Sequence, residues 1–294
     1  NGSFLHFFPT VAVILNIDED HLDYYKDLDD IENAFRRFAS LVPEDGWVVG
    51  CGDEKRVRSV LESVSCRTRT YGLEPQNEVR AEDISYDENG CALFTATLYG
   101  HPLTDVELQV PGEHNVKNAL AVIAVASLFS LPMSLVAETL HEFRGVHRRY
   151  ELTSVTDGVR VYQDYGHNPT ETRNVLHVAR IQAPQKLWAV LQPHTYSRTK
   201  ALFDGFLTCF DEADEVLVTD ICGAREVDPG DINSGMLVDA MVKKGIHAHL
   251  TPSFDDAEAY LRAHWQPGDV VVTLGCGDID LLNEQIARNG DTHK

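Results

Sequence analysis

The sequence predicts a two-domain α/β protein whose second half is a doubly wound, mostly parallel sheet. Three observations carry that expectation: a length of 294 residues, short β-branched apolar runs alternating with helical periodicity, and polar clusters wherever those runs end. Domains usually span roughly 100 to 200 residues, so the length favours two cores over one.

Thr10 to Asn16 is a short apolar run that reads as a buried strand and leads straight into Asp18-Glu19-Asp20-His21-Leu22-Asp23. Ile31, Ala34, Phe35, Phe38, Ala39 and Val42 then recur at helical spacing, with Asp29 or Asp30 as the expected cap and Pro43 and Gly46 as the stop. Trp47 to Gly50 reads as a strand, and Val57, Val60, Leu61 and Val64 as one face of a second helix. From Arg80 to Gly112 the alternation is punctuated by Asp87-Glu88-Asn89-Gly90, Gly100 and Pro111-Gly112, which predicts an antiparallel edge to the sheet. Asn115 to Phe129 is Ala-rich and apolar nearly all round, as a helix packed inside a domain is. Gly145 to Glu151 is the expected boundary, dividing the chain into 1–146 and 147–294. Beyond it Val159 to Asp164, Leu187 to Leu191, Glu215 to Thr219, His247 to Leu250 and Val270 to Leu274 read as strands separated by helical segments.

Composition narrows the function. Hydrophobic residues are 43% and charged residues 24%, the balance of a globular protein. A net charge of −21 disfavours coating nucleic acid. No run approaches the roughly 18 apolar residues of a membrane span, and nothing at the start reads as a signal peptide. The six cysteines are scattered without a C-x-x-C pair, so neither a zinc ribbon nor a disulfide framework is expected. A cytoplasmic enzyme acting on small molecules is the class that remains, with no nucleic-acid or membrane partner.

In an open α/β sheet, ligands bind beyond the carboxyl ends of the strands. In the second half those ends read Asp164 to Glu171, Gln192 to Arg198, Thr219 to Glu226 and Gly275 to Asp278. Asn168 or Thr170 would cap a helix with Pro169 in its first turn, a structural role. His167 and His194 stand just upstream of helices, where an imidazole can meet an anion, and Arg198 offers a planar fork suited to a carboxylate. In the first half, His114 and Asn115 sit at a helix start with Asn118 one turn later. Two amides on one side of an apolar helix suit the donor and acceptor edge of a purine. Arg148 and Arg149 could reach a phosphate.

The segments "NIDEDHLDYY", "PGEHNVKNALA", "HRRYE", "DYGHNPTE", "QPHTYSRT" and "LGCGDI" occur in an order and spacing that resemble the Mur ligase family over essentially the whole chain. The resemblance implies the later part of a central ATPase domain, a mixed sheet with helices, followed by a Rossmann-like C-terminal domain that brings the amino acid. It implies an ADP-forming ligase that joins L-alanine to UDP-N-acetylmuramate through an acyl-phosphate, using ATP and Mg2+, in peptidoglycan biosynthesis. It implies His21 as a magnesium ligand and catalytic residue. His114, Asn115 and Asn118 would hold adenine, Arg148 and Arg149 would meet the nucleotide phosphates, and Asp164 the ribose. Tyr165, His167, His194 and Arg198 would line the alanine site, with Arg149, His194 and Arg198 serving catalysis. Asn168 and Thr195 depart from the commoner pattern, a second histidine and an arginine respectively, which leaves one arginine for the alanine carboxylate. Rival readings are a relative that joins the same sugar to a tripeptide in cell-wall recycling, a folate polyglutamate ligase, and a non-catalytic nucleotide-binding fragment.

The 294 residues contain no G-x-x-x-x-G-K-[ST] phosphate loop. A truncated chain is therefore expected, and by itself it should release no ADP when given ATP, UDP-N-acetylmuramate and alanine. A coupled ADP assay on the purified chain checks this.

Overall fold

The computed structural model describes residues 2–19 and 24–291. The chain folds as two compact units, Asn1–Arg144 and Gly145–Lys294.

The first unit is built on a six-stranded sheet in simple sequential order: β1 (Val11–Ile14), β2 (Trp47–Cys51), β3 (Arg67–Gly72), β4 (Val79–Tyr86), β5 (Cys91–Leu98) and β6 (His101–Pro111). The pairs from β1 to β4 are parallel and those from β4 to β6 antiparallel. The expected antiparallel edge is thus present, whereas β3 and its parallel pairing were not anticipated. Its sequence "RTRTYG" alternates with arginines that lie over an aromatic ring, Arg67 and Arg69 at 4.8 and 5.3 Å from the Trp47 centroid. Cationic stems packed in this way cover apolar surface without registering as hydrophobic in sequence.

Helices α1 (Leu28–Ala39) and α2 (Lys55–Leu61) pack on one face of the parallel end, burying Ile31, Ala39, Val57 and Val60 against Ala12, Ile14 and Val48. Asp27 caps α1, accepting the Asp30 N–H at 2.9 Å. Asp29 and Asp30, the expected caps, lie instead in the first turn, where their charge suits the positive end of the helix. On the other face, α3 (Glu113–Leu128) buries Val116, Leu120, Ile123 and Ala124 against Val49, Tyr71, Phe94 and Val106, and α4 (Met133–Glu142) adds Val136. A helix apolar on most sides belongs in such a core.

In the second unit the sheet order is β11-β10-β9-β12-β8-β7. The strands are β7 (Glu151–Thr156), β8 (Val159–Asp164), β9 (Leu187–Leu191), β10 (Glu215–Val218), β11 (Ala248–Leu250) and β12 (Val270–Leu274). All pairs are parallel except β7 with β8, and β7 is a polar edge strand that the sequence reading did not include. Alternate residues serve opposite faces. Leu187, Ala189, Leu191, Val270, Val272 and Leu274 meet α5 (Pro169–Ile181), α7 (Phe203–Phe206) and α8 (Ser234–Lys243). Trp188, Val190, Leu217 and Val271 meet α9 (Phe254–His264) and α10 (Asp280–Asp291). A short helix, α6 (Tyr196–Ala201), follows β9.

This arrangement fixes where a ligand can sit. The chain leaves β8 and β9 toward the face of α5 and α7, while from the strand between them, β12, it leaves toward α10 on the opposite face. Neighbouring connections that part in opposite directions open a crevice at the carboxyl ends of β8, β12 and β9. No helix among the described residues is long and apolar enough to cross a membrane.

Leu191 is fully buried at the end of β9. Replacing it by Ala should lower unfolding stability by about 2–5 kcal/mol through lost burial and a residual cavity, read as a lower urea midpoint at unchanged slope.

Candidate functional site

In the first unit the candidate residues cluster at the start of α3. Gly112, at φ +99°, is the N-cap, so Asn115 lies within the first turn and is not a cap. Its Nδ2 donates to the Pro111 carbonyl at 2.8 Å, and its Oδ1 accepts from Asn118 Nδ2 at 3.2 Å. Asn115 is thereby committed within the protein. Asn118, which is exposed, keeps a second N–H and its carbonyl oxygen, one donor beside one acceptor. His114 is exposed on the same turn.

The same turn is tied to the sheet by Lys117, 3.3 Å from Glu113 and 3.8 Å from Asp53. Asp53 in turn accepts from the Leu73 and Glu74 N–H groups and from Asn77 Nδ2 at 2.7–3.0 Å. The sequence reading missed this anchor, because Gly52-Asp53 after a strand looks like any turn.

In the second unit, the end of β8 is organised by Asp164. Its Oδ2 accepts the Tyr150 N–H at 2.8 Å and its Oδ1 the Gly166 N–H at 2.6 Å. Burial raises its pKa against the opposing pull of those two donors. At 4% exposure it offers little surface to a ribose, and its visible work is to clamp the turn before β7 onto the loop after β8.

The two arginines of "HRRYE" have different surroundings. Arg148 donates from Nη2 to the carbonyls of Gly275 and Gly277 at 3.1 and 2.9 Å, which ties that end of its guanidinium to the loop after β12. Arg149 is half-exposed, 3.8 Å from Glu171, and suited to a phosphate. The Tyr165 ring lies under both guanidinium carbons, at 5.0 and 5.4 Å.

His167 follows on the same loop. Its Nδ1 is 3.1 Å from the Tyr165 carbonyl, which can only accept, so Nδ1 carries a hydrogen and Nε2 is the nitrogen that can accept when the ring holds one proton. Asn168 caps α5 with Pro169 in its first turn, as the sequence indicates, and Glu171 accepts the His167 N–H at 2.9 Å.

At the end of β9, Arg198 Nη1 lies 3.3 Å from His194 Nδ1 and 3.9 Å from Cys276 Sγ. A guanidinium can only donate, so His194 accepts at Nδ1 and presents Nε2–H. Burial, then the positive charge of Arg198, then His167 hold the His194 pKa below its usual value. Thr195 carries the strained backbone of the turn, φ +59°, which a β-branched residue seldom adopts. It is held there by its N–H to the Cys222 carbonyl at 2.9 Å and its carbonyl to Thr199 Oγ1 at 2.7 Å. Glu226, reaching from the loop after β10, accepts both the N–H and the hydroxyl of Ser197. Gly277 completes the crevice; a Cβ there would meet Gln192 Oε1 at 2.5 Å and Cys222 Sγ at 3.0 Å.

Tyr165 and His167 thus stand together after β8, and His194 and Arg198 together after β9, the two strands that flank β12, with Cys276 3.9 Å from Arg198. Cys276 gave no sign in sequence beyond lying in the fourth polar strand end. The magnesium expectation at His21 falls outside the described residues. Among those described, no group of three or more His, Cys, Asp or Glu side chains is placed to hold a metal ion.

Comparison with known proteins matches residues 3–126 to the Mur ligase middle domain and residues 148–277 to the glutamate ligase domain of Mur ligases. The chain is 42% identical over 288 residues to a UDP-N-acetylmuramate–L-alanine ligase of Acetivibrio thermocellus, covering 98% of this chain and 61% of that protein. It is 44% identical over 283 residues to the ligase of the same name from Clostridium botulinum, covering 96% of this chain and 62% of that protein. The crystal structure of UDP-N-acetylmuramate–alanine ligase from Thermotoga maritima superposes with a TM-score of 0.79 at 26% identity, over 100% of this chain and 62% of that one. The chain thus spans about three fifths of the length of these relatives.

Because the His194 imidazole is kept neutral, its NMR titration midpoint should lie below 6.5 and rise in Arg198→Ala, which removes a positive neighbour. The linkage has a fixed sign: a lowered folded pKa means that the unfolded chain binds the extra proton first. The stability contribution of His194 is full above pH 6.5 and is lost as pH falls toward the folded pKa.

Proposed function

Because the chain belongs to the Mur ligase family, we propose that it carries the base-reading and amino-acid-binding parts of an ADP-forming ligase that joins L-alanine to UDP-N-acetylmuramate. The observation that carries this reading is the placement of the Tyr165–His167 pair after β8 and the His194–Arg198 pair after β9, on either side of β12 at a switch point of the sheet. High identity to alanine ligases over nearly all of the chain supports it. A cytoplasmic location and a role in peptidoglycan synthesis follow from the same reading.

The chemistry proposed has two steps. A muramoyl carboxylate oxygen attacks the γ-phosphorus of ATP and ADP leaves, which gives an acyl-phosphate. The alanine nitrogen then attacks the acyl carbon, and phosphate departs with the bonding pair as the amide forms.

The residues of this chain would act at both ends. Asn118 offers its N–H and carbonyl oxygen to the donor and acceptor edge of adenine. Asn115 holds that amide in place, with His114 on the same turn. Arg149 meets phosphate. Asp164 orders the loops beneath it, and its contact to a ribose would be secondary to that clamp. Arg198 takes the alanine carboxylate, helped by the Nε2–H of a neutral His194. His167 Nε2 is a fitting acceptor for the ammonium proton that alanine must lose before it can attack. Magnesium, when bound in a Mur ligase, would neutralise charge on the transferring phosphoryl group.

Calorimetric titration tests both halves on the chain itself. Arg198→Ala should weaken L-alanine binding by roughly 10- to 100-fold, the worth of a charge-assisted hydrogen bond, while leaving ATP binding unchanged. Asn118→Ala should do the reverse. A panel in which glycine, serine or a tripeptide bound better than alanine would overturn the amino-acid assignment.

A further inference from the structure

We propose that Arg148 is a positioning residue for the amino-acid end of the crevice, acting through Tyr165 on His167 and through the 275–277 carbonyls on the loop that carries Cys276. The proposal rests on the reading of that crevice as an amino-acid site.

Arg148 touches three loops at once. Its N–H donates to Glu151 Oε2 at 2.8 Å, which fixes the turn before β7. Its carbonyl accepts the Tyr165 N–H at 2.7 Å, and its guanidinium lies 5.0 Å from the Tyr165 ring centroid, which fixes the loop after β8. Its Nη2 donates to the Gly275 and Gly277 carbonyls and lies 3.9 Å from Asp280, which fixes the loop after β12.

From there the constraint passes to the imidazole. The Tyr165 carbonyl that receives His167 Nδ1 belongs to the residue whose N–H and ring Arg148 holds. Moving that peptide would free the ring to turn and to exchange its donor and acceptor nitrogens.

The arrangement is costly, which supports a role beyond general stability. Arg148 has φ +60° and Tyr150, two residues on, has φ +44°, both left-handed positions without glycine. Arg148 Nε is buried without a hydrogen-bond partner. Such features persist where the surrounding structure over-determines them and cluster at functional sites. Lysine cannot substitute, because a point charge cannot span two carbonyls while stacking flat on a ring.

The test compares Arg148→Lys with the unaltered chain by thermal melting, L-alanine and ATP titration, and 15N NMR of the histidine rings. The expected result is a folded variant that binds alanine about tenfold more weakly and ATP as before. Its His167 spectrum should lose the pattern of a protonated Nδ1 and a bare Nε2. Normal alanine binding with an unchanged His167 spectrum would overturn the proposal, as would selective loss of ATP binding, which would return Arg148 to the phosphates.

Should the variant not fold, the guanidinium signals of the unaltered chain decide: pyrophosphate should shift those of Arg149 and leave those of Arg148 in place. A response of Arg148 overturns the proposal. If the unaltered chain binds no alanine but the variant still changes the His167 tautomer, the reading of the crevice fails while the positioning role of Arg148 on His167 stands.

Discussion

A parallel sheet must be buried on both faces, because each of its connections lays a helix across one side. In the second unit that requirement governs nearly everything else. It makes β9 and β12 continuous apolar runs, and it divides their side chains between two cores, one under α5, α7 and α8 and one under α9 and α10. It also sends adjacent connections to opposite faces at β12, leaving strand ends around a gap. The crevice is a by-product of covering the sheet.

What fills the gap is mainly backbone chemistry. The loops after β8 and β12 and the turn before β7 have N–H and carbonyl groups that no strand partner satisfies, and a buried group left unpaired is expensive. Asp164 takes two of the donors and Arg148 two of the acceptors. Charged side chains are good for this work, since hydrogen bonds to ions are stronger than neutral ones. Of the residues turned toward solvent, Asn118 is bonded to Asn115, whose amide is committed to the Pro111 carbonyl, and Arg149 follows Arg148 in the chain. Function and support therefore sit one residue, or one helical turn, apart.

That adjacency explains how far the sequence could be read. The strands β9 and β12 were legible because double burial writes a nearly unbroken apolar run, β8 because Val159, Val161 and Tyr162 begin it, and α3 because a buried helix is apolar on most sides. The edge strands were not: β7 is polar and half-exposed, and β3 hides its packing in arginine stems. Which aspartate caps α1 depends on backbone geometry that three aspartates in four positions leave open. That His167, His194 and Arg198 follow the ends of β8 and β9 was legible from the strand-end rule. The different surroundings of Arg148 and Arg149 were not, because two identical neighbouring residues do not announce which of them takes the left-handed backbone and turns inward.

Gly277 shows what such construction means for the way this chain can change. The groups that receive Arg148 at the end of β12 are main-chain carbonyls, present whatever side chains the loop carries. Gly277 is nevertheless crowded, since a methyl group there would overlap Gln192 Oε1 and press on Cys222. A substitution there would act by pushing the Gln192 amide, or the chain itself, out of its place, and not by deleting a contact. A homologue could exchange many of the side chains around this opening and retain its shape, provided that this one position stayed empty.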